Sequence, residues 1–146
     1  MTPHLKILVL CTGNSCRSQM AEAFLKKALP TAAICSAGTH PAAAISPFTL
    51  RVMSEVGIDL SQAHTKGVRQ FLNQSFDYVI TVCDSARQSC PAFSGKVGQL
   101  LHIGFEDPAA AAGDEEEILK AYRCTRDHIC EEFTALARLL ATAPGR

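Results

Sequence analysis

Residues Leu5 to Leu10 (LKILVL) form an apolar run relieved only by Lys6, the pattern of a strand buried on both faces of a parallel sheet. From Ser18 to Leu29 the apolar positions Met20, Ala21, Phe24, Leu25 and Ala28 recur at helical spacing until Pro30 stops them. Strand, loop and helix make the opening unit. Ala32 to Ala37 (AAICSA) reads as a second strand, closed by Gly38. Ser46-Pro47 then fits an N-cap followed by proline in the first turn of a helix that carries Phe48, Leu50, Val52, Met53 and Val56 and ends at Gly57. A shorter helix is predicted near Val68 to Leu72, a strongly β-branched strand at Tyr78 to Val82, and a weaker strand at Leu100 to Ile103.

Asp107 to Gly113 (DPAAAAG) reads as a loop, and Asp114 with Glu117 resembles a capping box with Asp in place of the usual Ser or Thr. The long helix that follows has an apolar stripe of Ile118, Tyr122, Ile129, Phe133, Leu136 and Leu140 and is expected to end before Pro144. Strands alternating with helices predict an α/β fold: a four-stranded parallel sheet with helices on both faces, a three-layer sandwich spanning residues 1–146 as one domain.

Composition narrows the chemistry. Lys plus Arg number 14 and Asp plus Glu number 14, so no global field steers the chain toward nucleic acid or an anionic membrane, and any anion site must be local. No apolar run approaches the length of a membrane span, and the chain is expected in the cytoplasm. Seven cysteines are many for 146 residues, and an odd number argues against a disulfide scaffold. In a reducing compartment, metal or redox chemistry is the better reading.

Residues 11 to 18 (CTGNSCRS) place Cys11 five residues before Arg17 on the turn from strand to helix. Free N–H groups of such a loop and of the helix N-terminus can cradle a tetrahedral oxyanion, and a planar, permanently charged Arg17 can clamp two of its oxygens. Thr12, Gly13, Asn14, Ser15, Cys16, Arg17 and Ser18 are therefore the candidate oxyanion loop. The same positive environment favours a thiolate, making Cys11 a nucleophile facing the central atom of phosphate or arsenate. With Gly13 its one glycine, the loop fits neither Walker A nor the dinucleotide fingerprint, so no nucleotide is implied. Cys83 ends the Tyr78 to Val82 strand, which places it on the same sheet edge as Cys11, and Cys90 lies beyond a polar segment, Asp84 to Ser89, read as mobile enough to carry it. Without a C-x2-C pair or a nearby histidine pair, redox chemistry is favoured over zinc for these two thiols.

At these residues the sequence resembles the low-molecular-weight protein tyrosine phosphatase superfamily, and within it the thioredoxin-coupled arsenate reductase branch. The resemblance is carried by CTGNSCRSQMAEA from Cys11, CDSARQSCP from Cys83, GFEDPA from Gly104 and EEEILKAYRCTRDHI from Glu115. Gln19-Met20 and Ala109-Ala110 stand where the phosphatases usually carry a proline and tyrosines, and the phosphatases do not need the pair Cys83-x6-Cys90.

The resemblance implies that Cys11 attacks arsenate, with phosphate and sulfate as competing oxyanions, while Asp107 protonates the departing oxygen. Cys83 then attacks Cys11 and releases arsenite, and Cys90 attacks Cys83, leaving a disulfide reduced by thioredoxin, with glutaredoxin and glutathione as the less favoured donors. Catalysis is thus assigned to Cys11, Arg17, Cys83, Cys90 and Asp107, with reducing equivalents from thioredoxin, no bound cofactor, no metal, and a monomer expected. Ser18 is expected to donate a hydrogen bond to Cys11 and Asn14 to shape the loop. Some relatives bind potassium through residues matching Asn14, Glu22 and Ser36 and a carboxylate near Lys66; here the Lys66 ammonium is expected to stand in for the cation. Cys16 reads as a loop filler or a thiol that oxidises with Cys11. Cys35, Cys124, Cys130 and the histidines at 4, 40, 64, 102 and 128 fall in no motif. The rival readings are a phosphatase acting on phosphomonoesters with the same Cys11, Arg17 and Asp107, and a non-catalytic thiol sensor or metal module.

Overall fold

A computed structural model describes residues 4–142. Four parallel strands, β1 (Lys6–Cys11), β2 (Ala33–Gly38), β3 (Phe76–Thr81) and β4 (Val97–His102), pair in the order β2-β1-β3-β4. Four α-helices flank them: α1 (Arg17–Ala28), α2 (Pro47–Glu55), α3 (Asp84–Ser89) and α4 (Glu115–Thr142). This is the parallel α/β architecture that the alternation of elements predicts. Ile7, Leu8, Val9 and Leu10 are fully buried because β1 lies between two strands and beneath helices, whereas β4, at the edge, is largely exposed.

The chain leaves β1 toward β2 on one side and later reaches β3 on the other. β1 is therefore the switch point of the sheet, and the crevice beyond its carboxyl end is where an open α/β sheet binds ligand. Cys11 is the last residue of β1, and Cys83 stands two residues past the end of β3. At the neighbouring end of β2, Gly38 is required by crowding: a Cβ there would lie 2.4 Å from the Thr12 carbonyl oxygen.

Helix termini follow their sequence signals with two exceptions. Asp114 and Glu117 bond reciprocally, the Glu117 N–H to Asp114 Oδ1 at 2.9 Å and the Asp114 N–H to Glu117 Oε1 at 3.4 Å, so the capping box forms. Ser46 does precede Pro47, but its hydroxyl donates to Tyr122 Oη at 3.3 Å instead of capping α2. The segment from Asp84 to Ser89, read as mobile, is helix α3: the Cys83 sulfur caps it by accepting the Ala86 N–H, and Ala86 is buried.

In α4 the buried stripe is Leu119, Tyr122, Arg126, Ile129, Phe133 and Ala137, while Ile118, Leu136 and Leu140 lie at its margin. Arg126 enters the stripe because its charge is fully answered, by Val52 O and Glu55 of α2 and by Asp127. Pro144, the expected stop of this helix, lies outside the described residues. Among the described residues no helix is long and apolar enough to cross a membrane.

Candidate active site

Thr12 to Cys16 turn from the end of β1 into α1, and Asn14 takes a left-handed φ of 53°, a conformation asparagine tolerates better than most side chains. Cys16 is the N-cap of α1 yet makes no side-chain cap bond, so the first N–H groups of the helix are left to an anion. Cys11, Thr12, Gly13, Ser15, Cys16, Arg17 and Asp107 line one cavity of about 580 Å³, walled on its outer side by Phe48, Ile118 and Tyr122. The Arg17 guanidinium donates to the Phe105 carbonyl at 3.1 Å and pairs with Asp107 at 3.6 Å, so it is held over the loop by the segment that carries the candidate acid. Asp107 in turn caps a 3₁₀ turn at Pro108–Ala110, its Oδ1 accepting the Ala109 N–H at 3.0 Å.

Beneath the loop the hydrogen bonds form a directed chain. Glu22, paired with Lys26 at 2.6 Å, has only lone pairs to offer, so the Ser36 hydroxyl donates to it. Ser36 Oγ then accepts from Asn14 Nδ2 at 2.9 Å, and the second proton of that amide goes to Ser18 Oγ at 2.7 Å. Ser18, 2.9 Å from the Cys11 sulfur, is left with its own proton to donate there, alongside the Asn14 N–H at 3.1 Å. Two donors therefore meet the sulfur.

Gln19 was visible in the sequence only as a departure from the phosphatase pattern. It is buried, and its Nε2 donates to Asn14 O and Asn14 Oδ1, both at 3.1 Å, and to His64 O at 3.0 Å. The Lys66 N–H adds a bond to Asn14 Oδ1 at 2.9 Å, while the Lys66 ammonium sits on the His64 carbonyl. Lys66 therefore does not take the place expected of it beside Glu22; Lys26, one helical turn along α1, does.

Cys83 is buried, and its sulfur lies 3.4 Å from Thr12 Oγ1. A second cavity of about 680 Å³ joins Cys83 to Thr12, Arg17 and Asp107. Cys90 is not brought to this place. It closes α3 and borders a separate hollow with Arg87, Phe93, Val97 and Leu100, and partial burial pushes its thiol up from the ordinary value. Six helical residues stand between Cys83 and Cys90, so at 1.5 Å per residue the two are separated by about 10 Å, beyond the roughly 7 Å limit between the Cα atoms of a disulfide. Bonding this pair requires α3 to unwind. Burial pushes the Cys16 thiol up to about 12, with Cys11 and Asp107 adding to the rise and Arg17 opposing it, so Cys16 stays protonated beside Cys11. Cys35 is also raised, chiefly by burial, and Cys124 is exposed on α4. Among the described residues no group of three or more His, Cys, Asp or Glu side chains is arranged to hold a metal ion.

The profile of the family described as low molecular weight phosphotyrosine protein phosphatase matches residues 6–143. An arsenate reductase of Halalkalibacterium halodurans is 41% identical over 132 residues, covering 90% of this chain and 94% of the relative, and one of Bacillus subtilis is 40% identical over 124 residues, covering 84% and 88%. A solved structure of an arsenate reductase in its phosphate-binding state superposes with a TM-score of 0.77 at 28% identity, covering 93% of this chain and 98% of that one. The sulphate complex of the tyrosine phosphatase Wzb from Escherichia coli has the same fold, with a TM-score of 0.75 at 22% identity, covering 94% and 99%.

Proposed function

The chain belongs to the low molecular weight phosphotyrosine protein phosphatase family, and we propose that it works there as an arsenate reductase that passes electrons through Cys11, Cys83 and Cys90. The observation that carries this reading is the second thiol: Cys83 shares a cavity with Arg17 and Asp107 and touches Thr12 of the oxyanion loop, where a hydrolase would need only water. The relatives named arsenate reductase support the substrate.

In the first step the Cys11 thiolate forms a bond to arsenic. One As–O bond breaks, and the oxygen leaves as water on a proton from Asp107. The loop amides and Arg17 hold the remaining oxygens. The Cys83 thiolate then attacks the Cys11 sulfur; the S–As bond breaks, its electron pair stays on arsenic, and arsenite departs as Cys11 and Cys83 join. The Cys90 thiolate next attacks Cys83 and frees the Cys11 thiolate, and a dithiol partner reduces the resulting Cys83–Cys90 disulfide. Thioredoxin is the proposed partner, supported by the x6 spacing and by the partial exposure of Cys90. A reducing cytoplasm is the setting this chemistry requires.

The test is arsenite release from arsenate with thioredoxin, thioredoxin reductase and NADPH. Multiple turnover by the parent chain and its collapse in Cys83→Ser and Cys90→Ser are expected; turnover dependent on glutathione and glutaredoxin instead would move the partner and leave the relay. The wall of Phe48, Ile118 and Tyr122 beside Asp107 favours a second activity, hydrolysis of phosphomonoesters with water in place of Cys83. That activity should survive Cys83→Ser.

A further inference from the structure

His102 closes β4 and touches the elements on either side of it. Its Nδ1 lies 2.8 Å from the hydroxyl of Thr81, the buried last residue of β3, and its Nε2 lies 3.2 Å from Oδ1 of Asp84, the first residue of α3. The Thr81 hydroxyl also donates to the Leu101 carbonyl at 3.4 Å, and the Asp84 carboxylate, an acceptor, fixes Nε2 as a donor. Nε2 then carries the ring proton and donates it to Asp84. Gly104 leaves room for this pair: a Cβ there would lie 3.0 Å from His102 Nε2 and 3.9 Å from Asp84 Oδ1.

The helix tied down in this way is the one bracketed by the two exchanging thiols. Near Cys83 it is also held by the Arg87 N–H on the Cys83 carbonyl at 3.1 Å and by the Ala86 N–H on the Cys83 sulfur at 3.4 Å, the latter a bond that weakens once that sulfur is consumed in a disulfide. The His102–Asp84 bond does not depend on the sulfur. Closing a Cys83–Cys90 ring takes residues 84–89 out of helical geometry, and Asp84, the first of them, is then expected to lose its contact with β4.

We propose that His102 is a positioning residue of the relay: through Asp84 it holds α3 in its helical form, so that Cys83 stays against Thr12 of the oxyanion loop and is kept from pairing with Cys90 before arsenate has reacted. The proposal rests on the relay reading of the three cysteines. In exchange with oxidised dithiothreitol, the two thiols of Cys83 and Cys90 become a disulfide as the reagent is reduced to its dithiol. Breaking the latch is part of the cost of that exchange.

The experiment measures the equilibrium between the Cys83–Cys90 pair and mixtures of oxidised and reduced dithiothreitol in a Cys11→Ser background, by alkylation and peptide mass mapping. A pair with one exposed partner predicts that His102→Leu raises the equilibrium constant for the disulfide about threefold. It also predicts that this increment disappears when Asp84→Ala is already present, that Gly104→Ala acts in the same direction, and that His102→Gln, which keeps a donor, shows the smaller change. An unchanged constant in His102→Leu, or the same increment with and without Asp84→Ala, would overturn the latch alone. Failure of the Cys11→Ser parent to form any Cys83–Cys90 disulfide would overturn the relay and the latch with it.

Discussion

Asp107 and Arg17 face each other at 3.6 Å across the oxyanion cavity, and each has a separate task. Asp107→Asn removes the proton donor while keeping the shape of the side chain and its cap of the 3₁₀ turn. Loss of a general acid predicts a fall in single-turnover arsenite formation of about 10²-fold or more with the rate of Cys11 alkylation unchanged. Stopped reactions followed by arsenic speciation would measure it. Cys90 makes a different prediction: burial raises its thiol, so its alkylation in the reduced enzyme reaches half-maximal rate at a higher pH than that of an ordinary exposed cysteine, and its attack on Cys83 quickens as pH rises. Mass mapping after brief iodoacetamide pulses at several pH values checks this.

That Cys11 and Arg17 share one loop was legible because it follows from residue type and from position at a strand end and a helix start, whereas the roles of Ser18 and Asp107 came through the family resemblance. The Phe105 carbonyl that holds Arg17 was not, since a backbone contact leaves no mark in a sequence. Ser36 was named only through the resemblance, among residues matching a potassium site in some relatives, and the structure gives it a bond from Asn14 and one to Glu22.

At the scale of elements, β1, β2 and β3 were legible because buried parallel strands announce themselves as apolar runs, while the exposed edge strand β4 starts at Val97, ahead of the predicted Leu100. Helix α3 was hidden because six mostly polar residues carry no periodicity; what folds them is the sulfur of Cys83 at their N-cap and the burial of Ala86. His102 fell in no motif because its partners, Thr81 and Asp84, are assembled by sheet pairing and not by spacing. Arg126, absent from the apolar stripe read in the sequence, is buried by the fold against Glu55.

That α2–α4 contact has a pH signature. The Arg123 hydrogen bonds, with Arg126 adding to them against some desolvation, hold the Glu55 carboxyl down at about 2. A group whose folded value is depressed contributes stability above its unfolded value, and that contribution is lost as pH falls toward the folded one. Glu55→Gln is therefore expected to melt below the parent at pH 7, with the gap closing between pH 4.5 and about 2. Thermal melts across that range measure it, and a gap independent of pH would contradict the assignment.

On the scale of the whole molecule, one sheet edge brings together what three separate segments supply. The carboxyl end of β1 delivers Cys11 and the loop, the end of β3 delivers Cys83, and the segment after β4 delivers Asp107. Cys90 is left outside this convergence, one short helix away and part-exposed, which is where the proposed reductant would meet it. On the proposed relay, oxyanion chemistry and reductant chemistry occupy separate places, joined by a helix that would have to unwind to bring Cys83 and Cys90 together.

The most direct test of this account is to map disulfides after one turnover of arsenate in the absence of reductant. The account predicts one arsenite per chain, a Cys83–Cys90 disulfide in the parent, and a Cys11–Cys83 disulfide trapped in Cys90→Ser. Arsenite released with all three thiols still free, or a Cys11–Cys16 disulfide in their place, would contradict it.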